Sequence, residues 1–138
     1  MPKRFALAAT LAALLLVLAV PAAAWAGSPH FVLAATGVTE QTATSLTVAF
    51  KEAGLGSEPQ VHVVLSAQVQ CVNPGGQPPQ AGNKQAFSVA GDFPVQNGRA
   101  EGSLTLRPVL QPACQPPMTL AFTDVVLTDT TSGISLAL

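Results

Sequence analysis

Two histidines, His30 and His62, are the side chains best suited to proton transfer near neutral pH. A hydrolytic site would need a nucleophile and a carboxylate within hydrogen-bond reach of one of them. His62 lies on the polar face of an alternating strand pattern, and His30 lies close to the start of the segment that follows an apolar leader. No nucleophile-elbow motif accompanies either histidine. We therefore expect both to be solvent-facing and the protein not to be an enzyme, with a small hydrolase that pairs His62 with a Ser and an Asp as the alternative.

The carboxylates offer a second possible chemistry, because glycoside hydrolysis needs two acids opposed across a cleft. The acids considered for it are Asp92, Glu101, Asp124 and Asp129. Acids beside turns are commonly solvated, and Asp92 and Asp129 fit turn positions without further explanation. No short run of alternating acids and amides suits calcium, and no glycine-rich phosphate loop precedes a helix. The sequence thus predicts no catalytic residue, no metal and no cofactor.

The cysteines, Cys71 and Cys114, are expected to form one disulfide, because paired thiols persist as a bridge in an exported chain. A reactive or metal-binding thiol pair would need close spacing or histidine partners, and this sequence has neither. Closing a loop of 43 positions stabilises a fold by about 4 kcal/mol on the chain-entropy model.

An export signal is indicated by the first 26 residues. Lys3 and Arg4 precede a sixteen-residue apolar run over residues 5–20, and small residues follow Pro21. Spanning helices usually need about 20 apolar residues, so we expect cleavage rather than a retained anchor. Ala24 and Ala26 both suit signal peptidase as the last residue before the cut. The predicted organisation is a signal peptide over residues 1–26 and one domain over residues 27–138.

The charge of the remaining domain excludes one class of partner. Residues 27–138 contain four basic and seven acidic residues, a formal net charge of −3. Nucleic-acid binders neutralise phosphates with a basic face, which four scattered bases cannot form. We expect no nucleic acid and, after signal cleavage, no membrane span.

Period-2 alternation of apolar and polar residues recurs along the domain and predicts strands. It is clearest over residues 61–71, where Cys71 falls on the apolar face, and it continues over residues 45–51 and 103–107. Shorter strands are predicted around residues 31–36, 87–89, 120–127 and 134–138, with a bulge or break at residues 123–124 where the parity changes. Seven to eight strands with one polar face each favour an antiparallel β-sandwich, loosely immunoglobulin-like, preceded by a signal-peptide helix.

The connection over residues 73–83 is too rich in Pro and Gly for a central strand and predicts a long surface loop. A second loop, residues 111–117, carries Cys114. Loops held on a rigid sandwich commonly bind ligands. We therefore name the connection over residues 73–83 as a candidate binding loop, with side-chain amides from Asn73, Gln77, Gln80 and Asn83.

Several segments resemble a group of short exported bacterial proteins without an assigned function. The segments are SPHF at residues 28–31, KEAGLG at 51–56, CVNPGG at 71–76 leading to NK at 83–84, and CQPPM at 114–118. The resemblance covers nearly the whole domain and implies a bacterial, extracytoplasmic setting, with no chemistry attached.

The function expected from these features is that of a secreted or envelope-associated, non-enzymatic binding or structural module. Its ligand is unknown, and its partner is an envelope component or another protein. Besides the His62 hydrolase, a second alternative is a subunit that assembles by edge-strand addition through residues 134–138, which carry neither charge nor Pro.

Overall fold

A computed structural model describes residues 27–75 and 84–138 of the chain. The predicted signal peptide, its helix and three of the four predicted loop amides (Gln77, Gln80 and Asn83) lie outside the described residues. The fold is all-β. Its strands are β1 (His30–Phe31), β2 (Gly37–Gln41), β3 (Leu46–Ala53), β4 (Gln60–Val72), β5 (Gln85–Pro94), β6 (Ala100–Leu106), β7 (Thr119–Asp129) and β8 (Ile134–Ala137).

The strands form two antiparallel sheets of four strands each. In the first sheet, β3 pairs with β6 on one side and with β1 and β2 on the other. The second sheet has the order β5-β4-β7-β8. One hydrophobic cluster draws residues from both sheets, which confirms the predicted two-sheet architecture. None of the helices in the described part of the chain is long and apolar enough to cross a membrane.

Alternation in β4 builds the centre of this core. Val61, Val63, Leu65 and Val69 are fully buried, whereas the residues of opposite parity, such as His62 and Ser66, are partly exposed. Side chains alternate between the two faces of a strand, so one apolar parity is enough to direct β4 into the core. Cys71, on the same parity, is buried as predicted.

The predicted bulge near residues 123–124 is confirmed in β7. The register with β4 shifts between Ser66 and Gln68, where β7 carries one extra residue, and Asp124 adopts a φ of 50°. Beyond the bulge, Val125 and Leu127 return to the core. The predicted hairpin at residues 130–133 is also confirmed, since β8 pairs with β7 across it.

The opening strand predicted over residues 31–36 is wrong. The chain instead makes the two-residue β1, then a short 3-10 helix (Leu33–Ala35), and enters β2, which the sequence analysis did not predict. β2 shows no alternation of apolar and polar residues, because it is an edge strand with hardly any buried side chain.

The two lateral sides of the sandwich differ. On one side β5 continues into β6 through a tight Asn97–Gly98 turn, with both residues at positive φ, and Phe93 packs edge-on against Phe50. On the other side, a cavity of about 230 Å³ lies between β1 with the 3-10 helix and β8. The sandwich is therefore closed along β5–β6 and open along β1–β8.

Candidate functional site

The disulfide between Cys71 and Cys114 joins the end of β4 to the long β6–β7 connection, residues 107–118. The two Cα atoms are 5.7 Å apart, within the usual range for a bridge. The predicted pairing is confirmed. Because Cys71 is 1% exposed, the bridge fastens the connection directly to the core.

Further contacts hold this connection in place. Leu110 inserts into the core with 2% exposure. The Gln85 side chain donates from Nε2 to the Gln111 carbonyl at 2.8 Å. At the start of β7, the Leu120 N–H donates to the Ala43 carbonyl at 3.0 Å and ties the connection to the β2–β3 turn. Backbone that lacks a sheet partner is thus ordered by three separate anchors.

Between the connection and the β2–β3 turn lies a cavity of about 390 Å³, which we call the apolar cleft. Its lining residues are Ala43, Thr44, Pro108, Val109, Leu110, Ala113, Cys114, Pro116, Pro117, Met118, Thr119 and Leu120. No charged side chain is among these described residues. Leu110 and Leu120 form its buried side, and Val109 is 68% exposed.

The size and chemistry of the apolar cleft suit a ligand site. Small-molecule and peptide-anchor sites of about 300–1,000 Å³ are typically lined by apolar side chains with a few polar groups. Thr44 and Thr119 are the lining residues that carry polar side chains here. Exposure of the apolar Val109 side chain to water is unfavourable. An apolar group that covers this side chain would remove it from water, which favours binding. The residue types exclude proton transfer, since nothing in this lining titrates near neutral pH.

Of the predicted binding-loop amides, Asn73 is the one that falls within the described residues. It is exposed and lies two positions after Cys71, at the end of β4. It is not among the residues that line the apolar cleft. The roles of Gln77, Gln80 and Asn83 stay predictions, because these residues lie outside the described part of the chain.

His62 projects from the outer face of β4, as expected, and lies beside Asp92 of β5. Its Nδ1 is 2.7 Å from Asp92 Oδ1, and the two side chains are 44% and 58% exposed. A carboxylate at this position orients an imidazole in the way that a hydrolytic triad requires. Within the described residues, however, the ring makes no hydrogen bond to a hydroxyl. Thr131 accepts from the His62 backbone N–H and not from its ring.

His30 lies in an exposed position on β1, with Nδ1 2.8 Å from the Ser28 carbonyl oxygen. Its ring makes no hydrogen bond to a carboxylate or a hydroxyl within the described chain. His30 lines the lateral cavity beside β8 and is not among the residues that line the apolar cleft.

Two acids occupy the core. Glu52 of β3 and Asp129 of β7, which we call the acid pair, are both 0% exposed and come from opposite sheets. The sequence predicts that Asp129 is a solvated turn residue. Its turn role is confirmed, because Oδ1 accepts from the backbone N–H groups of Thr131 and Ser132. Its expected solvation is wrong, because the carboxyl is buried. Asp92, Glu101 and Asp124 are exposed. The expectation that Asp92 occupies a turn is wrong, because it lies within β5 opposite His62.

The acid pair lacks full hydrogen bonding. Both oxygens of Glu52 and Oδ2 of Asp129 are buried without a hydrogen-bond partner of standard geometry. The pKa of Glu52 is raised from 4.5 to about 8. Burial is the larger cause, and the adjacent Asp129 carboxyl is the smaller one. Glu52 is therefore protonated at neutral pH. The residues described here contain no group of three or more potential metal ligands.

Neither the acid pair nor the apolar cleft is predicted from the sequence. The parity of Leu46, Val48 and Phe50 continues to Glu52, so the inward position of this acid was readable from the alternation. The cleft carries no comparable signal, because its walls are Pro-rich loop residues without periodicity.

The fold and site define a small two-sheet β domain with one disulfide and an apolar cleft at the disulfide end. No family model, curated protein or solved structure matches this chain. What the domain does must therefore be inferred from its own residues.

Proposed function

We propose that residues 27–138 act as an exported, non-enzymatic binding module that contacts its partner through the apolar cleft. The single observation that carries the proposal is an uncharged cavity of about 390 Å³ with a prominently exposed valine, on a connection anchored by a disulfide. Rigid scaffolds that present ordered loops commonly bind through them. The partner expected from this lining is an apolar segment of another protein or an apolar group of an envelope component.

Export is part of the same proposal. A disulfide fits an extracellular or otherwise oxidising compartment. In this proposal residues 1–26 are a signal peptide removed after Ala24 or Ala26, and the domain works outside the cytoplasm of a bacterium, on the surface or free in the medium. The proposal also keeps the domain loosely immunoglobulin-like, a class of sandwich that hosts many unrelated functions. N-terminal mass measurement of the exported protein distinguishes the two cuts.

The test compares bait proteins that differ at one exposed side chain. Val109→Ser removes apolar surface from the apolar cleft, and Leu33→Ser removes a similar amount elsewhere, since the two side chains are 68% and 71% exposed. Disulfide-bonded bait is incubated with native envelope and culture fluid, and captured molecules are identified by mass spectrometry. A partner held by the unaltered protein and by Leu33→Ser, and lost with Val109→Ser, supports the proposal. Equal capture by all three proteins contradicts it.

A hydrolase remains the second candidate because Asp92 Oδ1 lies 2.7 Å from His62 Nδ1. A hydrolytic triad needs a carboxylate at one nitrogen of the imidazole and a nucleophilic hydroxyl at the other. Asp92 meets the first of these two requirements. The assay is hydrolysis of an activated ester such as p-nitrophenyl acetate. A rate that falls at least tenfold in both His62→Ala and Asp92→Asn would favour the enzyme over the binding module.

Edge-strand assembly is the third candidate, favoured by the position of β8 at one edge of the second sheet. The Leu138 N–H donates to Val125, so the backbone groups of Ser135 and Ala137 point away from β7 toward the open side. Deleting residues 134–138 should then abolish any oligomer seen by light scattering. An unchanged mass would remove this candidate.

A further inference from the structure

The acid pair joins the two sheets near the open side of the sandwich. Glu52 is the register partner of Phe31 in β1, and Asp129 is the register partner of Ile134 in β8. Phe31 and Ile134 also line the lateral cavity of about 230 Å³ between β1 and β8. The two carboxyls therefore lie behind the strands that border the open side.

Buried apolar residues are the cross-strand neighbours of both acids on the side away from β1 and β8. Across the sheet from Glu52 lies Ala100 of β6, and across from Asp129 lies Val63 of β4. Both are buried. No other buried acid or base is present among the described residues. Among the described residues, each carboxyl is thus the one buried titratable group beside the other.

Charged groups nearby lie on the outer faces. Lys51 precedes Glu52 and pairs with Glu101, on the parity that faces solvent, and His30 of β1 is exposed. From the second sheet, His62 of β4 also points outward, where it meets Asp92. None of them supplies a positive charge to the core side of the acid pair.

We propose that the acid pair is a pH-sensitive latch: it holds the β1–β8 side of the sandwich closed while Glu52 carries a proton, and it loosens that side when both carboxyls are ionised. The closed state places one neutral and one charged carboxyl side by side. Ionisation of Glu52 creates two adjacent negative charges in a low-dielectric core where the described residues place no buried base. The fold relieves this repulsion by admitting water.

The weaker lateral side determines where water enters. β1 contributes two residues, β8 contributes four, and a cavity already separates them. On the opposite side a tight turn bridged at Gln96 and Arg99 connects β5 of one sheet to β6 of the other, and Phe93 packs against Phe50 across this side. Opening along β1–β8 exposes Phe31 and Ile134, so the latch would regulate an apolar surface at this edge, distinct from the apolar cleft.

The raised pKa of Glu52 sets the pH window and the sign. In the unfolded chain Glu52 titrates near 4.5, and in the folded protein near 8. Between these values the folded state binds a proton that the unfolded state lacks, so stability falls as pH rises. The contribution is fully present below about pH 4.5 and lost above about pH 8.

The experiment measures denaturant unfolding of the disulfide-bonded protein from pH 5 to 9. For the unaltered protein we expect the unfolding constant to rise about tenfold per pH unit up to pH 8. Glu52→Gln keeps the shape without a titrating group and should show less than a twofold change per unit from this site. Glu40→Gln, which removes an exposed acid from β2, is the matched control and should behave like the unaltered protein.

Two further readouts keep the proposal open to refutation if a variant folds poorly. The ¹³C shift of the Glu52 carboxyl in the unaltered protein should titrate near pH 8, and a midpoint near 4.5 overturns the proposal. Hydrogen-exchange protection above pH 8, corrected for intrinsic rates, should fall at the Val32 and Leu138 amides, which bond to Lys51 and Val125. Loss of equal size at Leu65 in central β4 would overturn the localised latch.

Discussion

At the scale of single residues, Asp129 combines two roles that conflict. One oxygen accepts from the Thr131 and Ser132 N–H groups at 2.8 and 3.2 Å and holds the β7–β8 turn, while the other is buried next to Glu52 without a partner. A short acid satisfies local donors well, which explains its position before the turn. Its burial is imposed by β7, whose inward parity after the bulge includes this residue.

Substitutions at this residue should separate the two roles. Asp129→Ala leaves two turn N–H groups without an acceptor, and we expect a loss of about 1–3 kcal/mol in the free energy of unfolding. Asp129→Asn retains the Oδ1 acceptor and should lose less than half as much. Chemical denaturation at pH 6 measures both variants. Equal losses would mean that the turn does not depend on this acceptor.

At the scale of elements, the contact between β5 and β6, which belong to opposite sheets, shows how an aromatic ring fills the space beside a glycine. A Cβ built on Gly102 of β6 would lie 2.3 Å from a ring carbon of Phe93, so the ring packs directly over the glycine backbone. The same ring meets Phe50 edge-on at a centroid distance of 4.8 Å. Glycine weakens a strand by itself, yet here it provides the space for the aromatic contact that closes this side.

Gly102→Ala should therefore destabilise the protein by about 1–3 kcal/mol, because the ring must move from a packed position. Gly37→Ala is the matched control, since no atom lies within 4 Å of its added Cβ and its backbone is not in the left-handed region. Thermal unfolding compares the two. A Gly102 variant as stable as its control would show that the Phe93 ring relocates freely.

At the scale of the whole molecule, the disulfide orders the β6–β7 connection on which the apolar cleft depends. The bridge spans 43 positions and joins a buried strand end to a loop. Since chain crosslinks act mainly by restricting the unfolded state, its removal should destabilise the whole domain and not only the loop.

Reduction, or replacement of both cysteines by serine, should cost about 2–5 kcal/mol of stability. Denaturant unfolding of the oxidised and reduced forms gives the difference. Reduced protein should also release any partner bound at the apolar cleft, because Cys114 is part of its lining. If the reduced form keeps both its stability and its partner, the connection is ordered by Leu110, Gln85 and Leu120 without the bridge.

Sequence alone determined the strand faces, the disulfide pairing, the β7 bulge and the β7–β8 hairpin of this protein. These features depend on period-2 alternation, on turn residues and on a count of two cysteines, all of which are local or combinatorial properties. The edge strand β2 and the broken start at residues 31–36 escaped because neither buries an alternating face.

Only the tertiary structure decided which residues meet. Glu52 and Asp129 are 77 positions apart in sequence and become neighbours because the two sheets face each other. Val109 and Met118 meet the β2–β3 turn because a disulfide and three anchors hold a Pro-rich connection over the core. Long-range proximity is a property of packing between sheets, and alternation within a strand carries no information about it.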